Sequence, residues 1–168
     1  YIRTLPADDL AGRLAPYLER PEIEGGLPDH ATRPVDRADL LRAVPLVQER
    51  LKTLAEAADV LGFFFTDPRS YDDLRSLKGV TPDQAREALE ATLACCEALP
   101  AWEEAPLEVA LRPLAEELGL KAGQLFGAVR VAVTGRTAAP PLFETMNVLG
   151  RERCLSRLRA AAETLRVV

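Results

Sequence analysis

The side chains in this sequence that could do chemistry are arginines. They make up 18 of the 21 basic residues, and the planar guanidinium fork suits bidentate hydrogen bonds to phosphates and base edges. A GC-rich genome also writes Arg where another writes Lys, so the excess alone decides nothing. Three placements single out individual residues. Arg50 has Leu46, Val47, Thr53 and Leu54 as its i±3 and i±4 neighbours, so no acidic partner lies along its own helix. On a helical wheel it falls about 60° off the centre of an apolar stripe, where the stem can pack on the core edge and the head reach outward. A carboxylate from another helix and a bound ligand are both open destinations for that head. Arg136 sits with Thr137 in a short break between two helices, bounded by Gly135 and the Pro140-Pro141 pair. Proline fixes φ, so such a loop can be held rigid with polar groups outward. Arg153 and Arg157 lie one turn apart, opposite the stripe of Leu155, Leu158, Ala162 and Leu165, and are expected to face solvent or a polyanion.

The other reactive side chains do not assemble into a site. His30 is the one histidine, in a segment from Pro21 to Pro34 rich in proline and glycine, with no cysteine or carboxylate array beside it, and reads as solvated. Cys95, Cys96 and Cys154 have neither disulfide nor metal spacing, and read as small core residues of a reducing compartment. Glycine-rich phosphate loops and Ser/His/Asp sets are missing. The expectation is no catalytic residue, no metal site and no cofactor held by this chain.

Net charge is −5, which taken whole argues against a nucleic-acid binder. The distribution differs: residues 1–120 carry 13 Lys/Arg against 23 Asp/Glu, and residues 121–168 carry 8 against 3. A basic third follows an acidic body. Apolar runs fall far short of the ~18 residues of a membrane span and no basic-then-apolar leader opens the chain, so the expectation is a cytoplasmic protein without a membrane partner. Starting at Tyr1 in a folded pattern, the chain reads as a piece of a longer one.

The elements that must carry these residues all read as helices. Leu10, Leu14, Tyr17 and Leu18 follow an acidic first turn; a second helix starts near Asp36, and a long one is expected over 46–62, with Val47, Leu51, Leu54, Ala58 and Leu61 inward. Phe63, Phe64 and Phe65 plug a junction, and 66–80 passes to a second subdomain. Thr81-Pro82-Asp83-Gln84 is a capping box opening a helix to about Leu99. Trp102 lids it, a helix from Pro106 is interrupted at Pro113, and further helices end at Gly135, at Gly150 and near Leu165. No strand alternation persists. The fold class is all-α, a multi-helical bundle of two consecutive subdomains, residues 1–66 and 67–168.

Two motifs read in chain order add a resemblance. Glu49-Arg50-Leu51-Lys52-Thr53-Leu54 is the first. The second runs from Leu125-Phe126 through Arg130-Val-Ala-Val-Thr134-Gly135 into Pro140-Pro141-Leu142-Phe143 and Leu149-Gly150-Arg151-Glu152-Arg153. Together with Tyr1-Ile2-Arg3, they resemble the C-terminal, anticodon-binding part of bacterial glutamyl-tRNA synthetase, a class I aminoacyl-tRNA synthetase. The family's ATP-site signatures are not in this sequence. The resemblance implies that 1–66 holds the end of the stem-contact region and the first anticodon-binding subdomain, and 67–168 the second. It implies glutamate tRNA as partner, a monomeric chain, and ATP and magnesium for the parent ligase. Arg50, Thr137 and Leu142 would read anticodon bases, Arg50 the third one. Gly135, Arg136, Pro140 and Pro141 would form the pocket, and Arg130, Arg153 and Arg157 would hold the tRNA backbone. The alternative from another class is a helical protein-interaction module whose basic C-terminal face answers an acidic partner.

Overall fold

The computed structural model describes residues 1–166, and every regular element among them is helical. The chain divides into two compact units, Tyr1–Thr66 and Asp67–Val168, the last two residues of the second lying outside the described residues. No described helix is long and apolar enough to cross a membrane.

In the first unit, α1 (Ala7–Glu19) opens with Asp8 and Asp9 in its first turn, which complement the positive helix end, and buries Leu10, Ala11, Leu14 and Leu18. The aperiodic segment after it is organised by one side chain. Arg33 donates to the carbonyls of Glu19 (3.0 Å) and Arg20 (2.8 Å) at the end of α1, and to those of Leu27 (2.7 Å), Pro28 and Ala31 (both 3.1 Å). α2 (Arg37–Val47) starts at Asp36, whose side chain accepts from the Asp39 amide at 3.0 Å.

The long helix expected over 46–62 does not form. α2 ends at Val47, a single turn covers Gln48–Arg50, Leu51 is extended, and a second turn at Leu54–Glu56 leads into the short α3 (Ala57–Leu61). The break has two causes. The Gln48 side chain donates to the carbonyls of Ile2 and Leu5, both at 2.8 Å, which ties the end of α2 to the N-terminal segment. The Glu56 carboxylate accepts from the amides of Lys52 (2.9 Å) and Thr53 (3.4 Å), the acidic half of a capping box that restarts the helix. Val47, Leu51 and Leu61 are still buried, while Ala57 takes the inward place expected of Ala58. Phe63 and Phe64 are buried in this unit with ring centroids 4.3 Å apart.

The second unit is built on α4 (Pro82–Glu97), α5 (Glu104–Glu117), α6 (Ala122–Thr134), α7 (Leu142–Leu149) and α8 (Arg151–Arg166). The Thr81–Gln84 capping box is present in both directions: Thr81 Oγ1 accepts from the Gln84 amide (3.1 Å), and Gln84 Oε1 from the Thr81 amide (2.9 Å). α8 packs along α4, and α6 lies against both. That position explains why α6 is buried nearly all round, through Leu125, Ala128, Val129, Val131, Ala132 and Val133. Trp102 donates from Nε1 to the Met146 carbonyl (2.8 Å), with the Arg151 guanidinium 5.4 Å from its ring centroid.

Pro113 does not interrupt α5, and Pro45 lies inside α2. A helical proline frees the carbonyl four residues earlier. Those residues here, Val109 and Leu41, are both exposed, so water can take the freed bond and no buried carbonyl is stranded.

Candidate nucleic-acid interface

The loop after α6 is built from its two ends. α6 stops at Gly135, which adopts the left-handed conformation (φ 76°) and returns its amide to the Val131 carbonyl at 2.7 Å. The Thr134 hydroxyl lies 2.7 Å from the Arg130 carbonyl and accepts from the Arg136 amide at 3.2 Å, which turns the first loop residue back on the helix. At the far end Pro140 is buried and Pro141 caps α7, whose first turn carries no side-chain cap. Between these anchors Thr137 and Ala138 are exposed and Arg136 and Ala139 half-buried. The result is a short, held projection with a guanidinium, a hydroxyl and the open amide end of α7 around it.

Leu142 does not line this projection with its side chain. It is 4% exposed, packed inward as the first residue of α7, so any contact to a base at this position falls to its backbone. Pro140 is likewise part of the core edge rather than of the open pocket.

The arginines of α8 correct the wheel reading. Arg157 was expected outward and is 2% exposed: Nε bonds Asp67 Oδ1 at 3.0 Å and Nη1 donates to the Val133 carbonyl at 2.6 Å. Burial pulls its pKa down from the ordinary guanidinium value, and the bond and charge of Asp67 oppose that. The wheel failed because its stripe took in Leu155 and left out Cys154 and Ala161. Cys154 and Ala161, three before and four after Arg157, are also buried and leave room between them for a long side chain, so the buried face of α8 is centred nearer Arg157 than Leu155. A guanidinium inside this core therefore cannot serve a tRNA phosphate.

Arg153 is half-buried, with Nε donating to the Leu149 carbonyl (2.6 Å) and Nη2 to that of Val148 (3.3 Å). Arg151 donates to the Cys96 carbonyl (3.3 Å). Each of the three thus closes the carboxyl end of a different helix: Arg151 that of α4, Arg153 that of α7, Arg157 that of α6. None of those helices has a basic residue in its own last turn, so each negative helix end draws its cation from α8. Arg75 does the same for α8 through the Thr164 carbonyl (3.1 Å). Much of the basic excess of the C-terminal third is thereby structural. Spacing could not reveal this, because the carbonyls belong to other helices.

Arg130 is half-buried, on the last turns of α6 before the loop. In the first unit Arg50 is exposed at the end of its single turn, and the guanidinium of Arg3 donates to the carbonyl of the preceding Glu49 (3.3 Å). Arg50 is thus presented at the end of a single turn, not by the face of a long helix. Among the described residues no group of three His, Cys, Asp or Glu is placed to hold a metal ion.

A family model described as an anticodon binding domain matches residues 9–162. The chain belongs to the anticodon-binding domain family. Glutamate–tRNA ligase of Roseiflexus sp. strain RS-1 is 48% identical over 98% of this chain and 32% of its own length. The ligase of the same name from Dehalococcoides mccartyi strain 195 is 46% identical over 98% of this chain and 33% of its own. The chain thus spans about a third of the length of the curated relatives it matches. The structure of a glutamate tRNA ligase from Elizabethkingia meningosepticum superposes with a TM-score of 0.78 at 22% identity, over 98% of this chain and 30% of that one, and so shares the fold. The all-α class read from periodicity is the one the structure has, the anticodon-binding family read from the two motifs is the one whose model matches, and the interaction-module alternative is not favoured by that match.

Proposed function

We propose that this anticodon-binding domain grips the anticodon stem and loop of glutamate tRNA on behalf of a glutamate–tRNA ligase, the remainder of which attaches glutamate to the tRNA using ATP and magnesium. The observation that carries the reading is the near-complete coverage of this chain by ligases of that name, one of them at 48% identity. Two features support it: an exposed arginine at the end of the Gln48–Arg50 turn, and a rigidly anchored loop whose exposed residues are polar or small.

Unstacked bases in RNA loops are told apart by hydrogen bonds on their edges. The Arg50 fork, fixed at its backbone by the ties of Gln48 and Arg3, offers two parallel donors to the third anticodon base. Thr137 and the backbone at the start of α7 offer a hydroxyl and amides to the other bases, with Arg136 beside them; Arg130 serves a phosphate. On this reading ATP and magnesium belong to the parent ligase. The reading carries a cytoplasmic location and needs no second copy of the chain.

The test is binding of two RNA stem-loops that differ only at the third anticodon base, one of the glutamate type and one of the glutamine type. Arg50→Ala is expected to lose the discrimination, worth about 1–3 kcal/mol for a good bidentate contact, with little change for the glutamine-type loop. Equal loss on both RNAs would remove Arg50 from base reading. No binding to either at low salt would sink the tRNA assignment.

A further inference from the structure

We infer that Arg157 is a positioning residue for the recognition loop, an inference that rests on the tRNA reading of that loop. The Arg157 guanidinium joins three parts of the second unit: α8, which carries it; the last turn of α6, through Nη1 to the Val133 carbonyl (2.6 Å); and the segment that opens the unit, through Nε to Asp67 Oδ1 (3.0 Å). Asp67 is followed by Pro68, and Pro68 closes over Gly135, where a Cβ would stand 2.8 Å from the Pro68 Cβ. Gly135 is the residue whose φ of 76° sets the direction in which the chain leaves α6. The clamp therefore holds the loop from both sides. The carbonyl two residues before Gly135 is fixed by Arg157, and the open face of Gly135 is covered by the proline that Arg157 anchors through Asp67. Arg151 and Arg153 close helix ends in the same manner but reach carbonyls of α4 and α7, not the base of this loop.

A merely structural ion pair and a positioning clamp differ in what breaking them does. Asp67 is the place to break it, because its side chain is 76% exposed and its loss empties no core. Removing a carboxylate near an RNA site would by simple charge strengthen binding. If the clamp positions the loop, Asp67→Ala instead weakens binding. A fall of the competent loop to a tenth of the population raises Kd about tenfold.

The experiment measures Kd for the glutamate-type anticodon stem-loop RNA over a range of salt for the 168-residue chain, for Asp67→Ala and for Asp67→Asn, together with amide exchange at residues 136–138 without RNA. Expected are weaker binding for Asp67→Ala at an unchanged salt slope, recovery in Asp67→Asn, whose amide oxygen still accepts from Nε, and faster exchange at 136–138 while α4 keeps its protection. Tight binding by Asp67→Ala, or unchanged exchange at 136–138, would overturn the clamp. So would a salt slope reduced by about one, the mark of a lost phosphate contact. Should the unaltered chain fail to bind the RNA, the tRNA reading falls, and the exchange data still decide whether Arg157 orders the loop.

Discussion

Arg50 and Arg157 are the same side chain in opposite settings, and their substitutions should separate cleanly. Arg50 is exposed at a turn, so Arg50→Ala should move stability by no more than about 1 kcal/mol, the range of an exposed polar contact, while erasing base discrimination. Arg157→Ala strands the Val133 carbonyl inside the core and leaves the space of a long side chain, and should cost about 3 kcal/mol, read as a lower urea midpoint. The thiols supply a second prediction at this scale. Burial pushes Cys96 and Cys154 each from the ordinary value of 9.0 up to about 12, and burial together with the Glu117 charge raises half-buried Cys95. A disulfide reagent at pH 8 should therefore find at most one fast thiol in the native chain and three in denaturant. The folded state holds these thiols protonated. Their contribution to stability is whole below the ordinary thiol value of 9.0 and is lost as pH climbs from there toward 12. Thermal unfolding at pH 7.5 and pH 10 checks the sign: the midpoint should fall at the higher pH.

The elements were legible where their signals were local. Asp36, the Thr81–Gln84 box, Gly135 and the Pro140-Pro141 pair each mark a helix end through their own backbone, and the structure has helix ends there. The helix expected over 46–62 misled because its apolar stripe was sound while the bonds that break it, Gln48 to Ile2 and Leu5, span more than forty residues. Gly135→Ala belongs to this scale. It forces a left-handed Cβ, costing about 1–2 kcal/mol, against Pro68 at 2.8 Å. Calorimetry should show a lower melting temperature, and the RNA titration a weaker complex; a variant that melts and binds as the parent would mean that Pro68 yields freely.

For the whole molecule the charge arithmetic changes meaning once the bonds are known. The eight basic residues after position 120 would give a slope of log K against log salt of about −6 if all released counterions. With Arg151, Arg153 and Arg157 occupied by helix carbonyls, five basic residues remain, and the expected slope is no steeper than about −3.5. A slope near −6 would mean that the caps let go on binding. Periodicity and caps in the chain were enough for the all-α class, and the two motifs for the family, because helix stripes and end signals act over one or two turns and motifs are contiguous. The loop between α6 and α7 needed no more than that, whereas Arg50, placed by a wheel over a helix that does not form, is exposed because it ends the Gln48–Arg50 turn. Which arginines turn inward was settled by packing alone, since a helix's terminal carbonyls seek donors through space, and α8 happens to pass three of them.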